Sequence, residues 1–294
     1  MPTTVAVAFE QFRRNLEITD PQTGTVSTRQ EGVRDALNRG MNVVEDFLTG
    51  SYRRQTMISP LKEADVDVFV ALDASYFTFY NGQNGGPAGL LDWVRRTLRE
   101  TYTRTPDISR NGQAVTIRFN DFLVDVVPGF RRQGGGYIIA NGAANAWLST
   151  DPKIHVEIFS EANVLHAGNL VPLIKMIKAW NKSSGSYFTS FHLEVLARQV
   201  FMTVMISDMP SGVRFFFDKA RSWVAVPLAD PAGYDYSVGR YLDSQVKIDE
   251  ARRRLSSAYE LAVTAERLSQ NPLYNRSAID TWRRLFPDHF PAYG

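Results

Sequence analysis

The chain has 294 residues, of which 44% are hydrophobic and 22% charged, and it contains no cysteine. These fractions exclude a disordered or low-complexity chain, and the missing cysteine excludes disulfide bonds and cysteine-ligated zinc or iron–sulfur sites. The 33 basic and 31 acidic residues leave a net charge of +2, too small for a protein that coats nucleic acid. We expect a cytoplasmic protein, because the N-terminus lacks a signal-peptide pattern and no apolar run is long enough to span a membrane.

The N-terminal half mixes helical and strand patterns. Apolar residues at helical spacing predict a helix at 5–16. A turn follows at 20–24, and Thr28 as a cap and Gly40 as a stop predict a second helix at 28–39. Alternating valines predict a strand at 65–72 (DVDVFVAL). Pro128-Gly129 is predicted to end a later strand. The other predicted elements are strands at 43–49, 114–119, 122–127 and 137–140, a helix at 90–98, and a loop at 81–89.

The strand pattern ends near residue 157, and the remaining chain has helical patterns only. A stripe of small apolar residues marks a long helix at 249–268, and a nearly all-apolar segment marks a buried helix at 188–205. Two more helices are predicted, at 170–180 and 277–285. The sequence therefore predicts an α+β fold with a mixed-sheet lobe over 1–160 and a helical lobe over 161–294.

Three aspartates stand out in the predicted strands. Asp65 and Asp67 are two residues apart, so both side chains leave one face, roughly 6.6 Å apart along the strand. Asp125 lies between valines in an apolar strand, where burying an unpaired carboxylate costs several kcal/mol. Solvated or anti-aggregation charges are the alternative for such aspartates. A neighbouring strand can nevertheless bring Asp125 to the same face as the other two.

A shared face for three carboxylates predicts a cation site, because like charges repel unless a cation neutralises them. Oxygen-only ligands favour Mg²⁺ or Mn²⁺, and two such ions ~3.5–4 Å apart would serve an in-line phosphoryl displacement. Gly50 and Ser51 follow a predicted strand and could form an ordinary turn. Alternatively, Gly50 lets the backbone approach a phosphate, and the Ser51 hydroxyl and nearby N–H groups hold it.

Several short sequence motifs follow one another over roughly residues 30–294. They are Gly50-Ser51-Tyr52-Arg53-Arg54-Gln55-Thr56, Asp65-Val66-Asp67-Val68, Val124-Asp125-Val126-Val127-Pro128, Leu173-Ile174-Lys175-Met176-Ile177-Lys178-Ala179-Trp180, Ser190-Phe191-His192-Leu193-Glu194 and Trp282-Arg283-Arg284-Leu285-Phe286-Pro287. With these motifs the chain resembles the bacterial cGAS/DncV-like nucleotidyltransferases, or CD-NTases. That family belongs to the DNA polymerase β superfamily and is related to oligoadenylate synthetase.

The resemblance implies roles for individual residues. Asp65, Asp67 and Asp125 would be the catalytic ligands of two Mg²⁺ ions, which Mn²⁺ can replace, while Gly50 and Ser51 would hold the donor phosphates. Three residues of the helical lobe would complete the nucleotide site: Lys178 and Ser190 on the triphosphate, and Phe191 stacked on a base where relatives often have Tyr. The alternatives are a solvated lysine, a helix cap and a core phenylalanine. The four histidines lack metal-ligand spacing, and we expect them to be structural.

The resemblance also implies an activity. The chain would join ATP and GTP into a cyclic dinucleotide, such as cyclic GMP-AMP, or into a cyclic trinucleotide, with release of pyrophosphate. The setting would be antiphage (CBASS) signalling with a downstream effector, and we expect a monomer without an obligatory nucleic acid. The alternatives are a linear nucleotidyltransferase acting on an RNA end, an inactive nucleotide-binding scaffold, and a nucleic-acid sensor. The zinc module of the animal DNA sensor cannot form without cysteine.

Overall fold

A computed structural model describes residues 2–103, 107–234 and 237–294. The chain divides into two compact units: Ile18–Glu157, called the sheet unit below, and Met1–Glu17 with Ile158–Gly294, called the helical unit. Among the described residues, no helix is both long and apolar enough to cross a membrane.

The helices are α1 Val5–Asn15, α2 Asp20–Gly40, α3 Gly50–Arg53, α4 Ala74–Asn81, α5 Gly86–Thr101, α6 Pro152–Leu165, α7 Leu170–Ser183, α8 Ser190–Val200, α9 Met209–Trp223, α10 Gln245–Ser269 and α11 Asn275–Leu285. The strands are β1 Val43–Leu48, β2 Asp65–Leu72, β3 Ile108–Asn111, β4 Ala114–Arg118, β5 Leu123–Arg131, β6 Tyr137–Asn141 and β7 Ala146–Thr150.

The strands form one mixed sheet, which confirms the predicted α+β class. Its order is β1-β2-β5-β4-β3, with β6 paired to β5 and β7 paired to β6. Strands β2 and β5 are parallel, and the other pairs are antiparallel. Alternation along β2 buries Val66, Val68 and Val70 in a core with residues of α2 and α5. The same alternation turns Asp65 and Asp67 to the opposite face.

The helical unit is organised around α10. The predicted small-residue stripe of this helix is buried, and α10 packs against α9 and α11. Helix α1 belongs to this unit, whereas the predicted division placed it with the sheet lobe. The reason is an aromatic cluster, in which the ring centroid of Phe9 lies 4.9 Å from that of Trp282 and 5.0 Å from that of Phe290.

The structure corrects several predicted boundaries. The predicted turn at 20–24 is the first part of α2, which begins with a capping box between Thr19 and Gln22 and carries a proline in its first turn. The last part of the predicted loop at 81–89 belongs to α5, and the buried helix predicted at 188–205 is shorter, as α8. Helices α3, α4, α6 and α9 and strands β3 and β7 were not predicted.

Strand β5 continues through Pro128-Gly129, where the sequence predicts its end. On one edge, β5 pairs with β4 as far as Val126, and its pairing with β6 begins at Gly129. Pro128 therefore lies between the two ladders on that edge, a position where a proline is tolerated in a strand.

Candidate active site

Three carboxylates of the sheet unit converge at one place. One carboxylate oxygen from each of Asp65, Asp67 and Asp125 lies within 4.8 Å of the other two. Asp65 is exposed, Asp67 is half-buried and Asp125 is buried. The structure therefore brings together the three residues that the sequence selected, and their roles stay predictions.

The parallel pairing of two strands explains this convergence. In the register between β2 and β5, Asp67 is the direct partner of Asp125, and Asp65 is the partner of Leu123. Residues that are paired across neighbouring strands point to the same face of a sheet. Because Asp65 and Asp67 are also two residues apart, all three side chains leave the same face.

Thr116 fixes the orientation of the most buried carboxylate. It is the direct partner of Asp125 across β4 and β5, and its Oγ1 hydroxyl donates a hydrogen bond of 2.5 Å to Asp125 Oδ1. Burial raises the pKa of Asp125, the Thr116 hydrogen bond opposes this shift, and the charge of Asp65 adds to it. Thr116 was not among the predicted site residues. The one signal for it in the sequence is its place in a predicted strand close to that of Asp125, since paired strands bring such side chains into contact.

Gly50 lies directly against this carboxylate cluster. A Cβ atom at Gly50 would stand 1.6 Å from Asp67 Oδ2, and the residue has a φ of +63°. Both the close approach and the left-handed backbone require glycine. The glycine that the sequence assigns to phosphate binding is therefore also the residue that leaves space for the Asp67 carboxylate.

Backbone hydrogen bonds hold the turn that contains Gly50 and Ser51. The Thr49 amide donates to the carbonyl of Asp67 at 2.9 Å, which fastens the start of the turn to β2. The Ser51 carbonyl accepts hydrogen bonds from the amides of Thr56 and Met57, at 2.9 and 3.1 Å. These bonds place Gly50 and Ser51 beside the carboxylates.

The donor set of the cluster fits a divalent cation. It consists of carboxylate oxygens only, which hard cations such as Mg²⁺ and Mn²⁺ prefer. The raised pKa of Asp125 reflects a folded structure that disfavours its charge, a cost that a bound cation would relieve. Asp65, Asp67 and Asp125 could therefore hold a metal ion.

The remaining predicted site residues lie in the helical unit. Lys178 on α7 is buried, and its Nζ atom donates to Glu194 Oε1 at 3.1 Å. Glu194 itself is fully buried. Lys178 is therefore an ion-paired residue of the interior and not the solvated lysine of the alternative interpretation. Its contact with a triphosphate stays a prediction.

Ser190 and Phe191 begin α8. Ser190 is exposed, and the helix cap is Thr189, whose side chain accepts a hydrogen bond from the amide of His192. The capping role considered for Ser190 is therefore wrong. Phe191 is half-buried, with its ring centroid 6.4 Å from that of Phe159. Part of the Phe191 ring thus packs against the unit and part remains accessible.

A buried histidine and a tyrosine join the start of α8 to a later segment. The hydroxyl of Tyr241 lies 2.8 Å from His192 Nδ1 and accepts a hydrogen bond from the Thr189 amide. Burial lowers the pKa of His192 to about 4 and raises that of Tyr241 to about 12. Both groups are therefore neutral at physiological pH, and the structural role expected for His192 fits this arrangement.

Comparisons with known proteins identify relatives of this chain. The profile of the Second Messenger Oligonucleotide or Dinucleotide Synthetase domain matches residues 3–163. A probable cyclic nucleotide synthase of Bacillus cereus is 26% identical over 100% of this chain and 99% of the relative. The cyclic AMP-AMP-AMP synthase of an Acinetobacter species is 28% identical over 96% of this chain and 85% of the relative.

A solved structure shares the fold. The Escherichia coli CdnC protein with ATP superimposes with a TM-score of 0.75 at 16% sequence identity, covering 99% of this chain and 100% of that one. The mixed sheet with packed helices is thus the nucleotidyltransferase fold that the sequence predicts. From the matched profile and the curated synthases, the chain belongs to the second messenger oligonucleotide or dinucleotide synthetases, the bacterial cGAS/DncV-like nucleotidyltransferases that make cyclic oligonucleotides.

Proposed function

We propose that this enzyme joins purine nucleoside triphosphates into a cyclic di- or trinucleotide at Asp65, Asp67 and Asp125. The observation that carries the proposal is the convergence of the three carboxylates within 4.8 Å. Gly50 lies against the cluster, and because it has no Cβ a phosphate could approach its backbone there. This arrangement supports phosphoryl transfer over the scaffold alternative, which has no use for three clustered acids.

In each proposed step, a ribose 2′- or 3′-hydroxyl oxygen attacks the α-phosphorus of a donor triphosphate. A new P–O bond forms as the hydroxyl loses its proton to water, the bond between the α-phosphorus and the bridging oxygen breaks, and pyrophosphate leaves. Two Mg²⁺ ions held by the carboxylates would activate the hydroxyl and stabilise charge in the transition state. Asp125, oriented by Thr116, is nearest to the acceptor hydroxyl in this proposal, and Gly50 and Ser51 hold the donor phosphates.

The helical unit supplies the other nucleotide contacts in this proposal. Lys178 and Ser190 bind the triphosphate, and Phe191 stacks on a base through the accessible part of its ring. The partner of Lys178 is Glu194 at 3.1 Å, so the acid fixes the position of the lysine and offsets part of its charge. Because these residues belong to two adjacent helices, α7 and α8, one unit presents them together.

The relatives support the choice of substrates. The Acinetobacter relative is named for a cyclic product of three AMP units, and the E. coli structure was solved with ATP. We therefore place ATP first among the substrates, with GTP as a second purine. We place the enzyme in the cytoplasm, as a monomer without an obligatory nucleic acid, in antiphage signalling where an effector binds its product.

The test is incubation with all four nucleoside triphosphates and Mg²⁺ or Mn²⁺, followed by phosphatase and mass spectrometry. A cyclic product has no terminal phosphate, so we expect a phosphatase-resistant species of two or three nucleotides. An Asp125→Asn variant with a native melting curve is the control for contaminating activity. A ladder of phosphatase-sensitive oligomers would instead support linear nucleotide addition and contradict the proposal.

A further inference from the structure

A cavity in the helical unit is lined by residues that have no role in the proposed reaction. Its volume is about 270 Å³, and it lies between the end of α7, the middle of α10 and the end of α11. None of the predicted site residues of this unit lines it. It includes Arg284, Leu285 and Pro287 of the closing sequence motif, to which the catalytic assignment gives no role.

The polar part of the lining is cationic and is called the rim below. It comprises Arg253, Arg254 and Arg284 together with three serines. Two carboxylates stand beside these groups: Glu250, which accepts hydrogen bonds from Arg253 and Arg254, and Asp288, which contacts Ser183. Three guanidinium groups thus exceed two carboxylates, which favours an anion at the rim.

The arginines of α10 are held in position before any ligand binds. The guanidinium of Arg254 lies 4.7 Å above the Tyr187 ring and donates hydrogen bonds to the Ser184 carbonyl and to Glu250. Because a guanidinium has five N–H donors, these contacts orient the group and leave donors for a ligand. Arg284 is exposed and makes no ion pair with the residues that the structure describes. Arg254 is therefore fixed in place and Arg284 is available to a ligand, and guanidinium groups bind phosphate in a bidentate manner.

The rest of the lining is apolar and is called the floor below. It comprises Trp180, Ala258, Leu261, Leu285 and Pro287. An inorganic anion would make no use of this surface, whereas a planar base would bury its faces against it. The volume, about 270 Å³, is near the lower end of ligand pockets, at ~300 Å³, and suits one nucleotide unit and not a cyclic dinucleotide.

We propose that this cavity is a second binding site for a nucleoside 5′-phosphate, with the base on the apolar floor and the phosphate on Arg253, Arg254 and Arg284. The ligand could be a substrate triphosphate or a monophosphate, since both carry the same recognised group. The site needs neither the carboxylates nor turnover. Its failure would therefore leave the proposed synthesis of cyclic oligonucleotides untouched.

The test measures binding of AMP by isothermal titration calorimetry in EDTA, with Arg284→Glu compared with Arg283→Glu. The two arginines are neighbours on α11, both are exposed, and only Arg284 lines the cavity. The two variants change the net charge equally. We expect Arg284→Glu to weaken AMP binding about tenfold or more, ~1.4 kcal/mol, and Arg283→Glu to leave it nearly unchanged.

Further measurements separate the floor from the rim. Ser257→Trp would fill the cavity without a charge change and should also abolish this binding. Adenosine and inorganic phosphate should each bind at least about tenfold more weakly than AMP, ~1.4 kcal/mol, and ATP should compete with AMP. Equal losses in Arg283→Glu and Arg284→Glu, or phosphate binding as tight as that of AMP, would overturn the proposal. Melting curves verify that each variant is folded.

Discussion

The two units hold their charged groups in opposite ways. In the sheet unit, Asp65, Asp67 and Asp125 bring like charges within 4.8 Å. In the helical unit, Lys178 and Glu194 bring opposite charges together in the interior at 3.1 Å. Like charges held together oppose folding, so their convergence indicates a ligand. A buried opposite pair can equally specify the fold, so only experiment separates a structural from a nucleotide-binding role for Lys178.

The largest expected effect is on the carboxylates. Asp67→Asn keeps the shape of the side chain but removes the charge of the carboxylate that lies beside both Gly50 and Asp125. We expect cyclic product formation to fall about a thousandfold or more, ~4 kcal/mol of transition-state stabilisation. Asp35→Asn, an exposed change on α2 with the same charge difference, should leave the rate unchanged. Near-wild-type turnover of Asp67→Asn would reject the catalytic assignment.

The helical unit should respond to substitution first in stability. Lys178→Met leaves the fully buried Glu194 without its lysine partner, and loss of one partner of a buried pair costs ~3–5 kcal/mol. The double variant Lys178→Met/Glu194→Leu should recover most of this loss in urea unfolding. If Lys178 also binds the triphosphate, ATP affinity stays low in the double variant. Full recovery of both quantities would restrict Lys178 to a structural role.

The acids of the sheet unit could be predicted from the sequence because they lie in strands with a regular pattern. Strand alternation has a period of two, so DVDVFVAL assigned Asp65 and Asp67 to one face, and the apolar context of Asp125 marked it as unusual. The residues of β5 do not reveal that its neighbour changes from β4 to β6, which is why the sequence predicts the end of the strand at Pro128-Gly129. Short elements such as β3 and α4 have too few residues for a periodic signal.

The missed contacts depend on tertiary pairing. Threonine is common in β-strands, so Thr116 does not stand out in the sequence. Only the β4–β5 register shows that its hydroxyl contacts Asp125. Tyr241 lies outside the helices and strands and contacts His192, 49 residues earlier in the chain. The Lys178–Glu194 pair also joins two helices. Local patterns therefore identified the strand-borne acids, while side-chain partners between elements needed the structure.

A second test of the sheet unit concerns the space beside Asp67. Gly50→Ala would place a Cβ 1.6 Å from Asp67 Oδ2 and displace that carboxylate. A misplacement of about 1 Å can cost ~100-fold in rate, which is the loss that we expect in product formation. Gly112→Ala is the matched control, because Gly112 has a φ of +59° with nothing within 4 Å. Both variants should lose ~1–2 kcal/mol of stability from the left-handed backbone, and equal activities would contradict the proposed role of the Gly50 contact.

A smaller effect is expected from the residue that orients Asp125. Thr116→Val removes the hydroxyl but keeps the shape, so the pKa of Asp125, already raised by burial, should rise further. We expect a ~10- to 100-fold loss of Mg²⁺ affinity or activity. The acid limb of the rate–pH profile should move to higher pH, because a larger fraction of Asp125 is then protonated at a given pH. Thr116→Ser retains the donor and should behave like the wild type; an unshifted profile in Thr116→Val would remove the positioning role.

The smallest effect should come from Phe191 in the helical unit. Its ring is half-buried, so only part of it can stack on a base, and we take the lower end of the ~1–3 kcal/mol range for stacking. Phe191→Ala should therefore weaken ATP binding about fivefold, while Phe191→Tyr keeps the aromatic face and should be nearly neutral. The loss of stability in Phe191→Ala should stay below the ~3–5 kcal/mol expected for removing a fully buried phenylalanine.

Phe215→Ala is the matched control for this comparison. Phe215 is also half-buried in the helical unit, with its ring centroid 5.5 Å from that of Phe201, and no nucleotide role is assigned to it. Its removal should lower the melting temperature without changing ATP affinity. If Phe191→Ala behaves in the same way, its ring serves packing alone. A selective loss of affinity at Phe191 would instead show that the accessible part of this aromatic ring binds the nucleotide.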